Sequence, residues 1–144
     1  MQLRQLDQHM LVAGQVQAAD FESLAAQGVT LIVNNRPDGE QAGQPSAAEL
    51  AFSAEAAGID YLHLPVSGGF SAEQIERMAE ALNAANGTTL AFCASGTRST
   101  FLWALARASK GDDGEALIGK AEAAGYDLTP IHSYLLAGAS NGGS

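Results

Sequence analysis

The segment best equipped for chemistry is Cys93–Arg98, which holds a thiol, a glycine and a guanidinium within six residues. The apolar run Thr88–Phe92 before it predicts a strand, and the apolar stretch Thr100–Ala108 after it predicts a helix. A chain that turns from a strand into a helix directs several backbone N–H groups towards one point, where the helix dipole adds positive potential. We therefore predict an anion-binding loop here.

Within this loop, Cys93 is the candidate nucleophile and Arg98 the catalytic anion-binding side chain. The loop amides and the guanidinium favour a thiolate over a thiol, and the thiolate is the nucleophilic form. A lone cysteine at a strand end is more commonly a small buried hydrophobe. The strand–loop–helix context and a guanidinium with a planar fork of donors favour catalysis instead. The predicted anion or substrate contacts are the residues around these two: Ala94, Ser95, Gly96, Thr97 and Ser99.

Predicted strands and helices alternate along the chain before and after this loop, and their order predicts the fold class. The strands are almost wholly apolar, which favours an α/β fold with a mainly parallel sheet of four to five strands and helices on both faces. The predicted strands are His9–Ala13, Val29–Val33, Ile59–Leu64 and Thr88–Phe92. The predicted helices are Asp20–Gln27, Ser46–Ala57, Ala72–Ala85, Thr100–Ala108, a helix capped by Asp113 that runs to Ala124, and Pro130–Leu136.

Two further loops leave the carboxyl ends of predicted strands, which is the sheet edge where ligands bind in such folds. The long loop Asn34–Pro45 carries Arg36, a candidate second anion contact. It also carries Asp38 and Glu40, which are candidates for an acid or a loop contact. The shorter loop after Leu64 adds Ser67 in the same capacity. The alternative for Arg36 is a solvated arginine that is ion-paired to Asp38 or Glu40.

Composition limits the classes of function. The chain has 144 residues, which predicts one domain over residues 1–138 with a flexible tail at 139–144. Its 7 Lys and Arg residues against 16 Asp and Glu give a net charge of −9, which argues against nucleic-acid binding and gives no attraction to anionic membranes. One cysteine and three unclustered histidines predict no disulfide, metal site or cofactor. A reducing cytoplasm is the expected location.

Phe92–Ser99, with the sequence FCASGTRS, resembles the active-site loops of two enzyme groups. Rhodanese-type sulfurtransferases carry a Cys-x4-Arg loop, and protein tyrosine and dual-specificity phosphatases carry His-Cys-x5-Arg. Over about residues 5–110 the chain also resembles the bacterial beta-lactamase-hydrolase-like, phosphatase-like domain family (DUF442), in which some members are labelled sulfurtransferases. The resemblance implies a protein-tyrosine-phosphatase-like fold. The stretches that carry it are Gly14–Gln15, Asn34–Glu40, Gln44–Glu49 and Cys93–Ser99.

The resemblance leaves sulfur transfer and phosphate ester hydrolysis as competing activities. Four residues separate Cys93 from Arg98, the rhodanese spacing, and Phe92 stands where the phosphatases have histidine. Dual-specificity-like domains often have an aspartic acid three residues after a proline such as Pro65, and this chain has Gly68 there. Against sulfur transfer, many rhodaneses carry arginine directly after the cysteine, where this chain has Ala94.

We expect a sulfurtransferase that carries a persulfide on Cys93, with a Cys-dependent phosphatase as the alternative. An anion-binding or redox-sensing module is the non-enzymatic alternative. The expected partners are a small anionic sulfur donor, or a phosphoester, and a thiol acceptor. Because family members occur fused to metallo-β-lactamase-like persulfide dioxygenases, such an enzyme is a further expected partner.

Overall fold

The structure, a computed structural model, describes residues 2–136 as one mixed sheet with helices packed on both of its faces. The strand order is β1-β2-β5-β3-β4. β1 pairs antiparallel with β2, and the remaining neighbours are parallel. The predicted tail at 139–144 lies outside the described residues. The strands are β1 Arg4–Asp7, β2 Met10–Ala13, β3 Val29–Asn34, β4 Asp60–His63 and β5 Thr88–Phe92.

The helices connect the parallel strands and cover the sheet. Short 3₁₀ turns at Ala18–Asp20 and Thr129–Ile131 precede α1 and follow α5. Residues 132–136 are again helical. The other α-helices are α1 Phe21–Ala26, α2 Ala47–Ala57, α3 Ala72–Ala84, α4 Thr97–Ser109 and α5 Gly114–Ala123.

Successive side chains of the central strands point alternately to the two faces of the sheet and pack into two separate cores. Leu90 and Phe92 of β5 join Ile32 of β3 in a core that α1 and α2 close. Ala91, which lies between Leu90 and Phe92, and Val33, which follows Ile32, point to the opposite face. They join the core closed by α3, α4 and α5. Burial on both faces requires apolar residues at every position, which is why these strands read as continuous apolar runs.

The helix starts follow the capping residues in the sequence. The Ser71 hydroxyl accepts a bond from the Gln74 amide, and the Gln74 side chain accepts one from the Ser71 amide, so this capping box is complete. At α2, Ser46 accepts a bond from the Glu49 amide, but no reciprocal bond forms, so the second predicted box is only half present.

The predicted α/β fold is confirmed, with two differences that bear on the site. β1 was missed because Arg4–Asp7 buries one leucine and shows no apolar run; it forms through its tight connection to β2. Helix α4 begins at Thr97, three residues before the predicted start at Thr100. The prediction began too late because the first turn is polar and shows no apolar periodicity. The other predicted ends agree within about one residue, which is the usual uncertainty of helix and strand boundaries.

Trp103 tests whether the α4 face is a packed core. This side chain is 1% exposed, so Trp103→Ala removes a large buried group and leaves a cavity. We expect the free energy of unfolding to fall by about 3–5 kcal/mol, measured by urea denaturation. Phe52→Ala is the control: Phe52 is 75% exposed, so we expect a change within about 0.5 kcal/mol. Equal losses in the two variants would contradict the packing described here.

Candidate active site

Cys93 lies at the carboxyl end of β5, the middle strand of the sheet. The neighbouring strands hold the chain there, because the Cys93 amide donates to Ala13 O at 3.4 Å and the Asn35 amide donates to Phe92 O at 2.8 Å. Cys93 is 0% exposed, whereas Ala94, Ser95 and Thr97 of the same loop are exposed. In this conformation the sulfur is covered, so a substrate reaches it only when the structure around the Cys93 loop moves.

Gly96 forms the turn between the nucleophile and helix α4. Its amide donates to Cys93 Sγ at 3.1 Å, and it is the N-cap of α4 with φ of +89°. A Cβ at this position would collide with Tyr126 Oη and lie 3.3 Å from Ala13 O. Both the backbone conformation and the lack of space therefore require glycine. The amide and the start of α4 direct positive potential at the sulfur.

Arg98, in the first turn of α4, is fixed by three hydrogen bonds. Its Nη1 donates to Glu40 Oε2 at 2.7 Å and its Nη2 to Glu40 Oε1 at 2.9 Å. Nη1 also donates to the backbone oxygen of Val66 at 2.8 Å. A bidentate pair fixes the guanidinium plane as well as its position. The hydrogen bond to Glu40 is the largest cause that raises the pKa of Arg98; partial desolvation opposes it, and Cys93 adds a smaller contribution in the same direction as Glu40.

Glu40 links the two arginines predicted for this edge. Its Oε1 also accepts a bond from Arg36 Nε at 2.9 Å. Arg36 is 6% exposed and donates from Nη1 to Gln15 Oε1 at 2.8 Å. The hydrogen bond from Arg98 is the largest cause that lowers the pKa of Glu40 to about 2, assisted by Arg36 and opposed by partial desolvation. The predicted ion pair between Arg36 and this loop is therefore present.

The candidates for an acid or loop contact differ in the hydrogen bonds that they form. Glu40 stays a carboxylate at neutral pH, so it is a contact for the arginines and cannot donate a proton. Asp38 Oδ1 accepts a bond from the Ala47 amide at the start of α2, which directs the carboxyl away from the arginine pair. Ser67 is exposed, and its loop contributes the backbone oxygen of Val66 to the site instead.

Ser99 stabilises the site through a buried hydrogen bond, which differs from the anion contact predicted for it. It is the third residue of α4 and does not cap the helix, because the cap is Gly96. Its buried hydroxyl donates to Asn35 Oδ1 at 2.8 Å. Asn35 Nδ2 in turn donates to Leu64 O at 2.9 Å. This chain ties the start of α4 to the loops that follow β3 and β4.

Two residues at the site were not predicted from the sequence. Tyr126, just after α5, donates from Oη to Ser95 O at 3.1 Å and packs on Gly96. No motif connects it with the loop, so only three-dimensional packing reveals it. Gln15 holds Arg36 and follows β2 directly; the Gly14–Gln15 pair that carried part of the resemblance was an available sign of its role.

Within residues 2–136, no group of three His, Cys, Asp or Glu side chains is placed to hold a metal ion. The site instead offers a sulfur, a converging amide and two guanidiniums. This arrangement places the Cys93 sulfur beside hydrogen-bond donors that suit a small anion.

Comparisons with known proteins identify the family. The family model described as "Beta-lactamase hydrolase-like protein, phosphatase-like domain" matches residues 2–110. The chain belongs to this family. A "Beta-lactamase hydrolase-like protein" from Agrobacterium fabrum is 41% identical over 107 residues, covering 74% of this chain and 25% of the relative. The chain therefore spans about a quarter of that relative's length.

Solved structures confirm the predicted phosphatase-like fold. A candidate phosphatase from Neisseria meningitidis is 32% identical with a TM-score of 0.82, covering 96% of this chain and 99% of its own. A kinase-associated phosphatase with serine in place of its catalytic cysteine is 18% identical with a TM-score of 0.72, over 94% of this chain and 88% of its own. In the described part of the chain, no helix has the length and apolarity to cross a membrane.

Gly96 provides the first test of the site. In Gly96→Ala the methyl group requires Tyr126 to move and strains a left-handed backbone, which displaces the Sγ–amide contact. A displacement of about 1 Å can cost on the order of 100-fold in rate, so we expect Cys93-dependent turnover to fall by about that factor. Gly119→Ala, at an open helical position in α5, should leave turnover unchanged. Full activity of Gly96→Ala would refute the loop geometry.

Glu40→Gln tests whether Glu40 positions Arg98 or acts as an acid. Above its ordinary pKa of 4.5 the ion pairs are intact, and they are lost only as the pH falls towards about 2. We expect kcat to fall by about fivefold, the scale of one partly exposed ion pair, because the neutral amide keeps only one acceptor oxygen and Arg98 loses its bidentate, charged contact. KM for an anionic substrate should fall because a repelling carboxylate is removed. The pH dependence of kcat between pH 5 and 9 should keep its shape.

The matched control is Glu55→Gln, an exposed glutamate of α2. It removes the same charge without touching an arginine, so both kinetic constants should stay at their original values. A basic limb of the pH profile that disappears in Glu40→Gln would instead identify Glu40 as the acid.

Proposed function

We propose that this domain is a sulfurtransferase that carries a sulfane sulfur on Cys93 as a persulfide. The observation that carries the proposal is the state of Glu40, which two arginines hold as a carboxylate with a pKa of about 2. The acidic side chain at the anion site therefore cannot protonate a leaving group.

The leaving groups of the two candidate reactions make different demands. An alkoxide that leaves from a phosphate ester needs a proton from a general acid. Sulfite and thiolates leave readily as anions, so sulfur transfer needs donors for negative charge and no acid. The converging amide of Gly96 and the guanidinium of Arg98 provide such donors.

The size of the loop supports the same proposal. Four residues lie between Cys93 and Arg98, one fewer than in the phosphatase motif. A shorter loop encloses a smaller ring of donors, which suits a single sulfur atom attached to Sγ better than a tetrahedral phosphoryl group. The contact of 3.1 Å between the Gly96 amide and Sγ is consistent with a tight ring.

The proposed reaction has two steps. In the first, the Cys93 thiolate attacks the outer sulfur of thiosulfate, the S–S bond of thiosulfate breaks, and sulfite leaves with the electron pair. In the second, an acceptor thiolate attacks the outer sulfur of the persulfide, and Cys93 leaves as a thiolate. Arg98 and the loop amides stabilise the negative charge in both steps. A low-molecular-weight persulfide can replace thiosulfate as donor.

A Cys-dependent phosphatase is the second candidate, favoured by the family description and by the names of the structural relatives. In that reaction the thiolate attacks phosphorus, and a phosphocysteine forms as the alcohol leaves. Arg98 would bind the equatorial oxygens of the phosphoryl group.

A partner is proposed from the length of the curated relative. Because this chain matches only 25% of the Agrobacterium protein, other parts of such a protein have room for further catalysis. We propose that a metallo-β-lactamase-like persulfide dioxygenase works beside this domain and exchanges low-molecular-weight persulfides with it.

The deciding experiment measures both activities on one preparation. Incubation with thiosulfate should add about 32 Da to the protein by mass spectrometry, and a thiol acceptor should then remove the added mass. Steady-state kinetics should show the parallel lines of a ping-pong mechanism. Hydrolysis of an aryl phosphate should stay at the level of Cys93→Ser.

Cys93→Ser is the matched control, because it keeps the loop and removes the nucleophile. It should acquire no added sulfur and show no transfer. Aryl phosphate turnover well above the Cys93→Ser level, with no added sulfur on the native chain, would overturn sulfur transfer and establish the phosphatase alternative.

A further inference from the structure

A small cavity lies directly beside the Cys93 loop, on the side of strand β1. Its volume is about 290 Å³. An occupant of the cavity would touch the loop that holds the nucleophile, because Ser95 belongs to that loop and Gly14 packs against the neighbouring Ala94 O. The lining residues are Gln2, Arg4, Gly14, Gln15, Ser95 and Tyr126.

The lining is polar, which restricts the chemistry of an occupant. Apart from the ring of Tyr126, no large apolar side chain faces this cavity. Sites for drug-sized ligands are usually apolar and occupy about 300–1,000 Å³. A cavity below that range with amide and hydroxyl groups on its walls suits a small polar molecule rather than an aromatic or aliphatic side chain of a protein.

Arg4 gives the cavity a positive charge. Within residues 2–136 it forms no ion pair with a carboxylate, whereas Arg36, Arg98, Arg107 and Lys110 each do. Its Nη1 donates to Ala124 O at 3.0 Å, which leaves its other donors available. In a chain with a net charge of −9, an unpaired guanidinium next to an anion-binding loop is a ready contact for a second negative group.

Tyr126 holds Arg4 and the loop in a fixed relation. The guanidinium of Arg4 lies 5.8 Å from the centre of the Tyr126 ring, and the Tyr126 hydroxyl donates to Ser95 O. Burial raises the pKa of Tyr126; the charge of Arg4 opposes this and the charge of Cys93 adds to it, so the net direction is upwards and the hydroxyl stays protonated. Tyr126 also lies beyond residues 2–110, the part of the chain that the family model matches.

We propose that this cavity is the acceptor subsite of the sulfurtransferase and binds the carboxylate of a small thiol through Arg4. The proposal rests on the proposed function. With its carboxylate on Arg4, the acceptor is held beside the Cys93 loop, and the movement that uncovers the sulfur brings its thiolate to the persulfide. The acceptor thiolate then takes the outer sulfur, the S–S bond of the persulfide breaks, and Cys93 leaves as a thiolate. Arg4 is the residue that determines specificity for an anionic acceptor.

The test compares two acceptors of similar size, mercaptoacetate and 2-mercaptoethanol, on persulfide-loaded protein. For the native chain we expect a lower KM for mercaptoacetate. In Arg4→Gln the ratio of kcat/KM values, mercaptoacetate over 2-mercaptoethanol, should fall by about threefold to tenfold, the range for one charged hydrogen bond at a partly open site. 2-Mercaptoethanol has no carboxylate, so its rate in each variant is the internal reference for any general change in the loop.

Arg77→Gln is the matched control, because Arg77 is an exposed arginine of α3 away from the cavity. It removes the same charge, so an equal fall of the acceptor ratio in this variant would show a general effect of net charge and overturn the subsite. An unchanged ratio in Arg4→Gln would overturn it as well.

A binding measurement separates this proposal from the proposed function. (Methylthio)acetate, which cannot accept sulfur, should shift the NMR signals of Ser95 and Tyr126 in the native chain and not in Arg4→Gln; 2-(methylthio)ethanol should shift neither. If Cys93 never acquires sulfur but this Arg4-dependent binding is present, sulfur transfer fails and the carboxylate site remains. If the analogue fails to bind the native chain while sulfur transfer proceeds, the subsite fails alone.

Discussion

The carboxylate of Glu40 between Arg36 and Arg98 is the interaction on which the arrangement of the site depends. It fixes the plane of Arg98, which the first turn of α4 alone would leave free to rotate. It also ties the long loop after β3 to the loop that holds Cys93. Because both arginines lower the pKa of Glu40 to about 2, its carboxyl group is charged throughout the neutral pH range. The ion pairs with Arg36 and Arg98 therefore persist over that range.

The distribution of positive charge gives the site its second constraint. The chain has seven Lys and Arg residues and a net charge of −9, so its average potential repels small anions. Arg36 and Arg98 meet at the nucleophile loop, and Arg4 lies at the adjoining cavity. Local attraction must therefore come from these few side chains and from the amides of the loop. Glu40 neutralises part of that charge, and its presence is the cost of holding Arg98 in a fixed orientation.

The sequence predicts those parts of the site that depend on local geometry. A strand, a short loop with glycine and a helix place Cys93 and Arg98 at one edge of a parallel sheet, whichever residues follow elsewhere. The role of Glu40 could not be resolved in the same way, because acid and loop contact were equally compatible with its position. In the structure the Glu40 carboxylate lies 2.7 to 2.9 Å from nitrogens of two arginines, which favours the loop contact. Tyr126 escaped prediction because packing between distant segments places it beside the loop. Strand β1 escaped prediction because it buries a single leucine and shows no apolar run.

The length of the Cys93 loop is the feature on which the proposed sulfur transfer depends and which the fold alone does not determine. The sheet order and the helix packing are those of phosphatase-like domains, as the match to the Neisseria structure shows. A fold, however, fixes where a nucleophile lies and does not fix what it attacks. With four residues between Cys93 and Arg98, the left-handed Gly96 brings its amide to 3.1 Å from the sulfur. An extra residue would widen this ring towards the size of a phosphoryl group. The same α/β framework can therefore support phosphoryl or sulfur transfer, depending on one residue in the loop and on whether a protonated acid faces it.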